Sequence, residues 1–286
     1  MKQALLILLA TVAGTYASAS LKVRFGAPLT KRFIKMPLTV TEASQTFKWT
    51  ETPRPENSLL PSLILYCHES RKSCVLFDDT GYIAGYQTAF PTDEYTNNIY
   101  DWEVQGFTKW TPSDDGKVYY ATQIYFVSEE FMAKSKEERY AARVSNSILQ
   151  LDGIWVSGFN GKLMKISKTF EDIKSTLFTK QACIPGMGRH YYYNMSESLE
   201  CSAETMLPWF PLFHGGRLVA VGLVTYGQMP EQSYDVFERP PKLAVKAIVP
   251  SGPQCLYNLA DNPGLVTSHI YFDVDSPSLN LNCILQ

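Results

Sequence analysis

The residues with the least generic chemistry in this chain are its histidines and cysteines, four and six in number. His68 lies between Cys67 and Cys74, whereas His190, His214 and His269 all fall in the second half of the sequence. If the stretch around Arg189–Met195 is a strand, period-two alternation puts His190, Tyr192 and Asn194 on one face and Tyr191 and Tyr193 on the other. By the same rule His269, Tyr271 and Asp273 share a face. Imidazoles on neighbouring strands with an acidic residue close by could hold a metal ion through His190, His269 and Asp273, or form an acid–base pair. The alternative is that each ring hydrogen-bonds to backbone or to a tyrosine hydroxyl inside an aromatic-rich core. His190, Tyr192, His269 and Tyr271 are the candidate ligand-binding residues. Nothing in the pattern specifies a cofactor or fixes whether the protein is an enzyme.

The sequence contains no G-x-S-x-G, H-E-x-x-H or phosphate-binding glycine loop, and Gly186-Met187-Gly188 lacks the third glycine of a dinucleotide fingerprint. Asp79-Thr80-Gly81 spells the aspartic-protease tripeptide, but that chemistry needs two carboxylates sharing a proton and the second half supplies no partner. A hairpin turn is the better reading. Acidic residues exceed basic ones, 28 to 26, for a net charge of -2, which gives no electrostatic reason to expect nucleic acid or anionic lipid as partner.

The cysteines acquire meaning from the N-terminus. Lys2, the apolar run Ala4 to Ala13 and Ala17-Ser18-Ala19 form the three parts of a signal peptide over residues 1–19, so a secreted, extracellular location is expected. No later segment is long and apolar enough to suggest a transmembrane helix. In an oxidising compartment Cys67, Cys74, Cys183, Cys201, Cys255 and Cys283 read as disulfides. Of the 15 pairings that six cysteines allow, the local one is expected: Cys67 with Cys74, Cys183 with Cys201, and Cys255 with Cys283. Asn194-Met195-Ser196 is the one glycosylation sequon, and Lys31-Arg32 is a candidate dibasic processing site.

These residues need elements to position them. Proline-rich residues 20–60 read as an extended arm or edge strand, 61–127 as a first β unit, 128–182 as a helical connector with a short strand, and 183–286 as a second β unit. An internal echo supports two related units. Leu76-Phe77 and the hairpin after it parallel Leu212-Phe213, and Thr122 to Phe126 parallels Thr267 to Phe272, with Gln123 at the place of His269. Ser135-Lys136-Glu137-Glu138 is a capping box ahead of Tyr140, Val144, Ile148 and Leu151 at helical spacing. Thr169 opens a second helix with Phe170, Ile173 and Leu177 on one face. The expected class is α+β, two related antiparallel β units joined by a helical segment and bonded by disulfides.

Met187-Gly188-Arg189-His190-Tyr191-Tyr192-Tyr193-Asn194, followed by Pro211-Leu212-Phe213 and Gly216 to Gly222, resembles a pattern in uncharacterised exported proteins, bacterial ones among them, that carry Met-Gly-x-His-Tyr-x-x-Asn. The resemblance spans roughly 40 of the 286 residues and implies only that His190 belongs to a recurring exported module. The resulting expectation is a secreted binding protein, suited to an animal secretion such as saliva or venom. It would take a small apolar or aromatic ligand, or an extracellular macromolecule, on a Tyr-rich surface between the units. The rival is a metal-assisted secreted hydrolase using His190 and His269.

Overall fold

The computed structural model describes residues 19–26, 32–112, 116–143, 147–272 and Cys283. Short β-rich runs broken by turn residues pair with their sequence neighbours, so most of the chain is antiparallel hairpins. The first sheet takes β3 (Thr50–Glu51), β4 (Ile64–Cys67), β5 (Ser73–Phe77), β6 (Ile83–Pro91), β8 (Tyr119–Tyr125), β9 (Gly153–Ser157) and β10 (Leu163–Ser167) in that spatial order, with β7 (Thr108–Trp110) also paired to β8. The second takes β11 (Phe178–Ile184), β12 (Gly188–Tyr193), β13 (Trp209–His214), β14 (Arg217–Tyr226) and β15 (Leu265–Tyr271). It is completed by β1 (Lys22–Arg24) and β2 (Phe33–Lys35) from the start of the chain.

The registers of the two sheets match row by row. Leu65, Leu76, Gly85, Tyr125 and Trp155 lie side by side across β4, β5, β6, β8 and β9. His190, Leu212, Ala220, Tyr271 and Lys22 form the same row across β12, β13, β14, β15 and β1. Each sheet carries a register shift at the same place, after Leu76 in one and after Leu212 in the other. The N-terminal hairpin β1–β2 therefore occupies in the second sheet the place that β9–β10 occupies in the first.

Alternation then sets the layers. Val75, Phe77, Ile124 and Phe126 share one core with Trp209, Phe213, Ile270 and Phe272. The outer face of the second sheet is covered by α4 (Lys242–Ile248) and α5 (Gln254–Asp261), whose Val245, Val249, Leu256 and Ala260 pack on Phe210, Leu212 and Tyr271. The outer face of the first meets Leu60, Leu63 and Phe131, the last carried on α1 (Glu129–Met132).

Two antiparallel sheets form as expected, and the fold is mostly β. Three details differ. The capping box at Ser135 forms as expected, but the helix it starts is only α2 (Lys136–Ala141), Tyr140 is 72% exposed, and the buried Ile148 lies beyond its end. Likewise α3 (Phe170–Ile173) is capped by Thr169 but stops before Leu177, which is 57% exposed. Secondly, the connector supplies two strands, β9 and β10, to the first sheet rather than one short strand, while the arm forms β1 and β2 at the edge of the second. Thirdly, Cys67–Cys74 forms, but the other bridges are Cys183–Cys283 and Cys201–Cys255. The expected pairs Cys183–Cys201 and Cys255–Cys283 fail because α5 carries Cys255 to the loop of Cys201, where its Sγ also approaches the Leu199 carbonyl at 3.6 Å.

Candidate functional site

His190, Tyr192, His269 and Tyr271 lie together on the outer face of the second sheet. His190 enters β12 directly after a turn in which Gly186 and Gly188 have φ of 77° and 107°, and register brings it under the sheet's outer cover with His269 of β15. The two imidazoles meet edge to face, ring centroids 6.1 Å apart. Phe210 lies between β12 and β15, stacked on Tyr192 at 4.7 Å and near His190 at 5.8 Å. A Cβ at Gly222 would stand 2.0 Å from the Phe210 ring, so only glycine there lets the ring lie flat over β14. Glu238 lies beside β15, where its backbone exchanges hydrogen bonds with Thr267. Its carboxylate stands 3.5 Å from His269 Nδ1 and 3.1 Å from Arg24 Nε, all three side chains being buried. Tyr271 completes the group, its hydroxyl pushed well up by burial and opposed by the Arg24 charge.

His190 is completely buried, and neither ring nitrogen has a hydrogen-bond partner among the described residues. Burial, followed by the neighbouring His269, drives its pKa down from 6.5 to about 3; the backbone of Ala182 and Gly188 lies close enough to oppose this without making a well-formed bond. His190 is thus neutral at physiological pH, next to an internally balanced Arg24–Glu238 pair. The space beside it is about 30 Å³, roofed by Val245, Ile248, Val249 and Leu256, which is room for roughly one or two waters. The space is small and mostly apolar, with His190, His269 and Glu238 in its lining.

The other expected residues are elsewhere. Asp273 lies outside the described residues, and among the described ones no group of three or more His, Cys, Asp or Glu side chains is placed to hold a metal ion. His68 stacks on Tyr234 at 3.5 Å, and His214 sits at the β13–β14 turn. Asn194 is exposed, with φ of 47° directly after β12.

The matching face of the first sheet is open instead. Gln123 and Tyr125 stand where His269 and Tyr271 stand in the second, and Leu65 stands where His190 does. There a cleft of about 660 Å³ runs between the 55–59 loop, the 101–109 segment and the 157–161 turn. Its floor is a closed hydrogen-bond network. Gln123 Oε1 accepts from the Tyr125 hydroxyl and from Arg54, while Gln123 Nε2 donates to Gln87 Oε1 at 2.6 Å. Arg54 also donates to the carbonyls of Leu59, at 2.6 Å, and Leu60, which fastens the loop forming one wall; burial lowers its pKa. The opposite wall is braced by the Asp101 carboxylate, which accepts from the backbone N–H of Glu103 at 2.8 Å and of Val104 at 3.1 Å. Glu56, Asn57, Glu103, Lys109 and Asn160 stand exposed around the opening. Sequence reasoning missed this site because its walls come from three loops far apart in the chain. The legible traces are Asn57 and Asn160, both with positive φ, as turn-forming asparagines adopt.

These features define a class: a mostly-β protein of two antiparallel sheets with three disulfides, one outer face open as a polar cleft and the other closed over a histidine pair. No family model, no curated protein and no solved structure matches the chain.

Proposed function

We propose that this is a secreted protein that acts by binding a small polar ligand in the cleft on the first sheet. The observation that carries the reading is the cleft itself, whose volume of about 660 Å³ falls within the ordinary range for small-molecule sites, over a floor already fixed by hydrogen bonds. Donors at Asn57, Lys109 and Asn160 beside acceptors at Glu56, Asp101 and Glu103 suit a ligand with several hydroxyl groups. Three disulfides and, among the described residues, no helix long and apolar enough to cross a membrane support the extracellular assignment; the expected signal peptide lies outside the described residues apart from Ala19. The matched rows and shared register shifts support an origin of the two sheets by duplication, with one copy's outer face kept open and the other's roofed.

The test is native mass spectrometry of the protein as released by its own cells. A small organic adduct should be present and should be lost in Ser58→Trp, which puts an indole into the cleft from a half-buried loop position. An adduct retained in that variant, or none in the wild type, contradicts the proposal.

A further inference from the structure

A third cavity, of about 230 Å³, opens where α3 and the β13–β14 turn meet the inner face of β11 and β12. Its position follows from the ladder: Lys180 pairs with Tyr191, and Arg189 with Phe213. Gly215 and Gly216, with φ of 55° and 78°, make the tight two-residue turn of the hairpin, and the Gly216 carbonyl accepts from Phe170 N–H at 2.9 Å, which brings α3 over the opening.

The walls are three aromatic rings at steep angles to one another. Phe170 and Tyr191 are 6.2 Å apart at 68°, and Tyr191 and Phe213 are 5.3 Å apart at 68°. The polar lining is supplied by Lys180, Arg189 and His214, and no carboxylate lines the cavity among the described residues. Arg189 is steadied by a bond of 3.0 Å to the Gln181 carbonyl, and the Lys180 ammonium lies 5.9 Å from the centre of the Phe170 ring. Tyr191 is 2% exposed and its hydroxyl is enclosed, so it contributes its ring to the wall.

We propose that this pocket binds a small aromatic anion: one flat ring against Phe170, Tyr191 and Phe213, its acid group held by Lys180 and Arg189. Every polar side chain that lines it can donate, which fits a carboxylate, sulfate or phosphate oxygen. An organic cation, the other guest that aromatic walls accept, would meet two fixed positive charges. The volume fits one ring and its acid group. The site is separate from the cleft on the first sheet and does not depend on it.

Isothermal titration of the full secreted protein at neutral pH with phenyl phosphate tests the inference, with phenol and inorganic phosphate as the halves of the probe. Phenyl phosphate should bind saturably, and each half about tenfold more weakly or worse. Arg189→Gln and Lys180→Gln should each weaken it about tenfold. Lys180 is exposed, so its variant folds even if Arg189→Gln does not. Ser58→Trp should leave phenyl phosphate affinity unchanged, which separates this site from the cleft. Absence of saturable binding, affinity unaltered in Lys180→Gln, or inorganic phosphate binding as tightly as phenyl phosphate would each overturn it.

Discussion

Acidification should destabilise this protein through His190 in particular. Its folded-state pKa of about 3 lies below the ordinary 6.5, so as the pH falls the unfolded chain takes up the proton first. The stabilising contribution is therefore fully present above pH 6.5, erodes as the pH falls through the window, and is gone by about pH 3. At roughly 1.4 kcal/mol per pH unit, the stretch from 6.5 to about pH 5 removes about 2 kcal/mol. His190→Leu isolates the effect, because the matching row position in the first sheet already holds Leu65. Urea unfolding of both proteins near pH 7.5 and pH 5 should show the wild type losing about 2 kcal/mol more than the variant. His68, whose pKa is also lowered by burial, titrates in both proteins and cancels. At neutral pH the variant should be as stable as the wild type or more so, since an unpaired buried polar ring is replaced by an apolar side chain. Equal acid losses in the two proteins would refute the reasoning, and would mean that water or another group satisfies the imidazole and lets it protonate in place.

Non-reducing peptide mapping should join Cys183 to Cys283 and Cys201 to Cys255, and replacing both Cys201 and Cys255 by Ser should cost about 4 kcal/mol from the 54-residue separation they span, read as a lower urea midpoint. N-terminal sequencing of secreted protein should give Ser20. Leu21 and Val23 are fully buried and Lys22–Arg24 pairs with β15, so a chain starting at Phe33 would lose a strand and unfold at lower temperature. Treatment with a peptide N-glycosidase should lower the mass by one glycan, and Asn194→Gln should abolish that shift. Elemental analysis of the secreted protein tests the metal reading: one equivalent of a transition metal, lost in His269→Ala, would place a metal at the histidine pair, and a metal-free protein would remove that reading.

Local signals in the sequence were reliable where the structure is local. The Leu76-Phe77 and Leu212-Phe213 hairpins, the capping box at Ser135 and the Cys67–Cys74 bridge each involve residues a few positions apart, and each forms. The face-sharing of His190 with Tyr192 and of His269 with Tyr271 followed from period two alone, and their convergence across β13 and β14 followed from sheet order, which the sequence does not state. The apolar spacing after Ser135 misled because Ile148 is buried by tertiary contact rather than by a continuing helix. The joining of β1 to β15 and the Cys183–Cys283 bridge link distant parts of the chain, and no nearby residue announces either. The cleft was least legible, since what makes it a site is the space between loops rather than any motif within one.

The central claim, that the first-sheet cleft is occupied when the protein works, is tested most directly by carbodiimide labelling of carboxylates. The protein as secreted is compared with the same protein after ligand has been stripped by denaturation and refolding. Labelling of Glu56 and Glu103 should rise on stripping, while that of the exposed Glu137, away from the cleft, stays constant. Identical labelling of Glu56 and Glu103 before and after stripping would contradict the account.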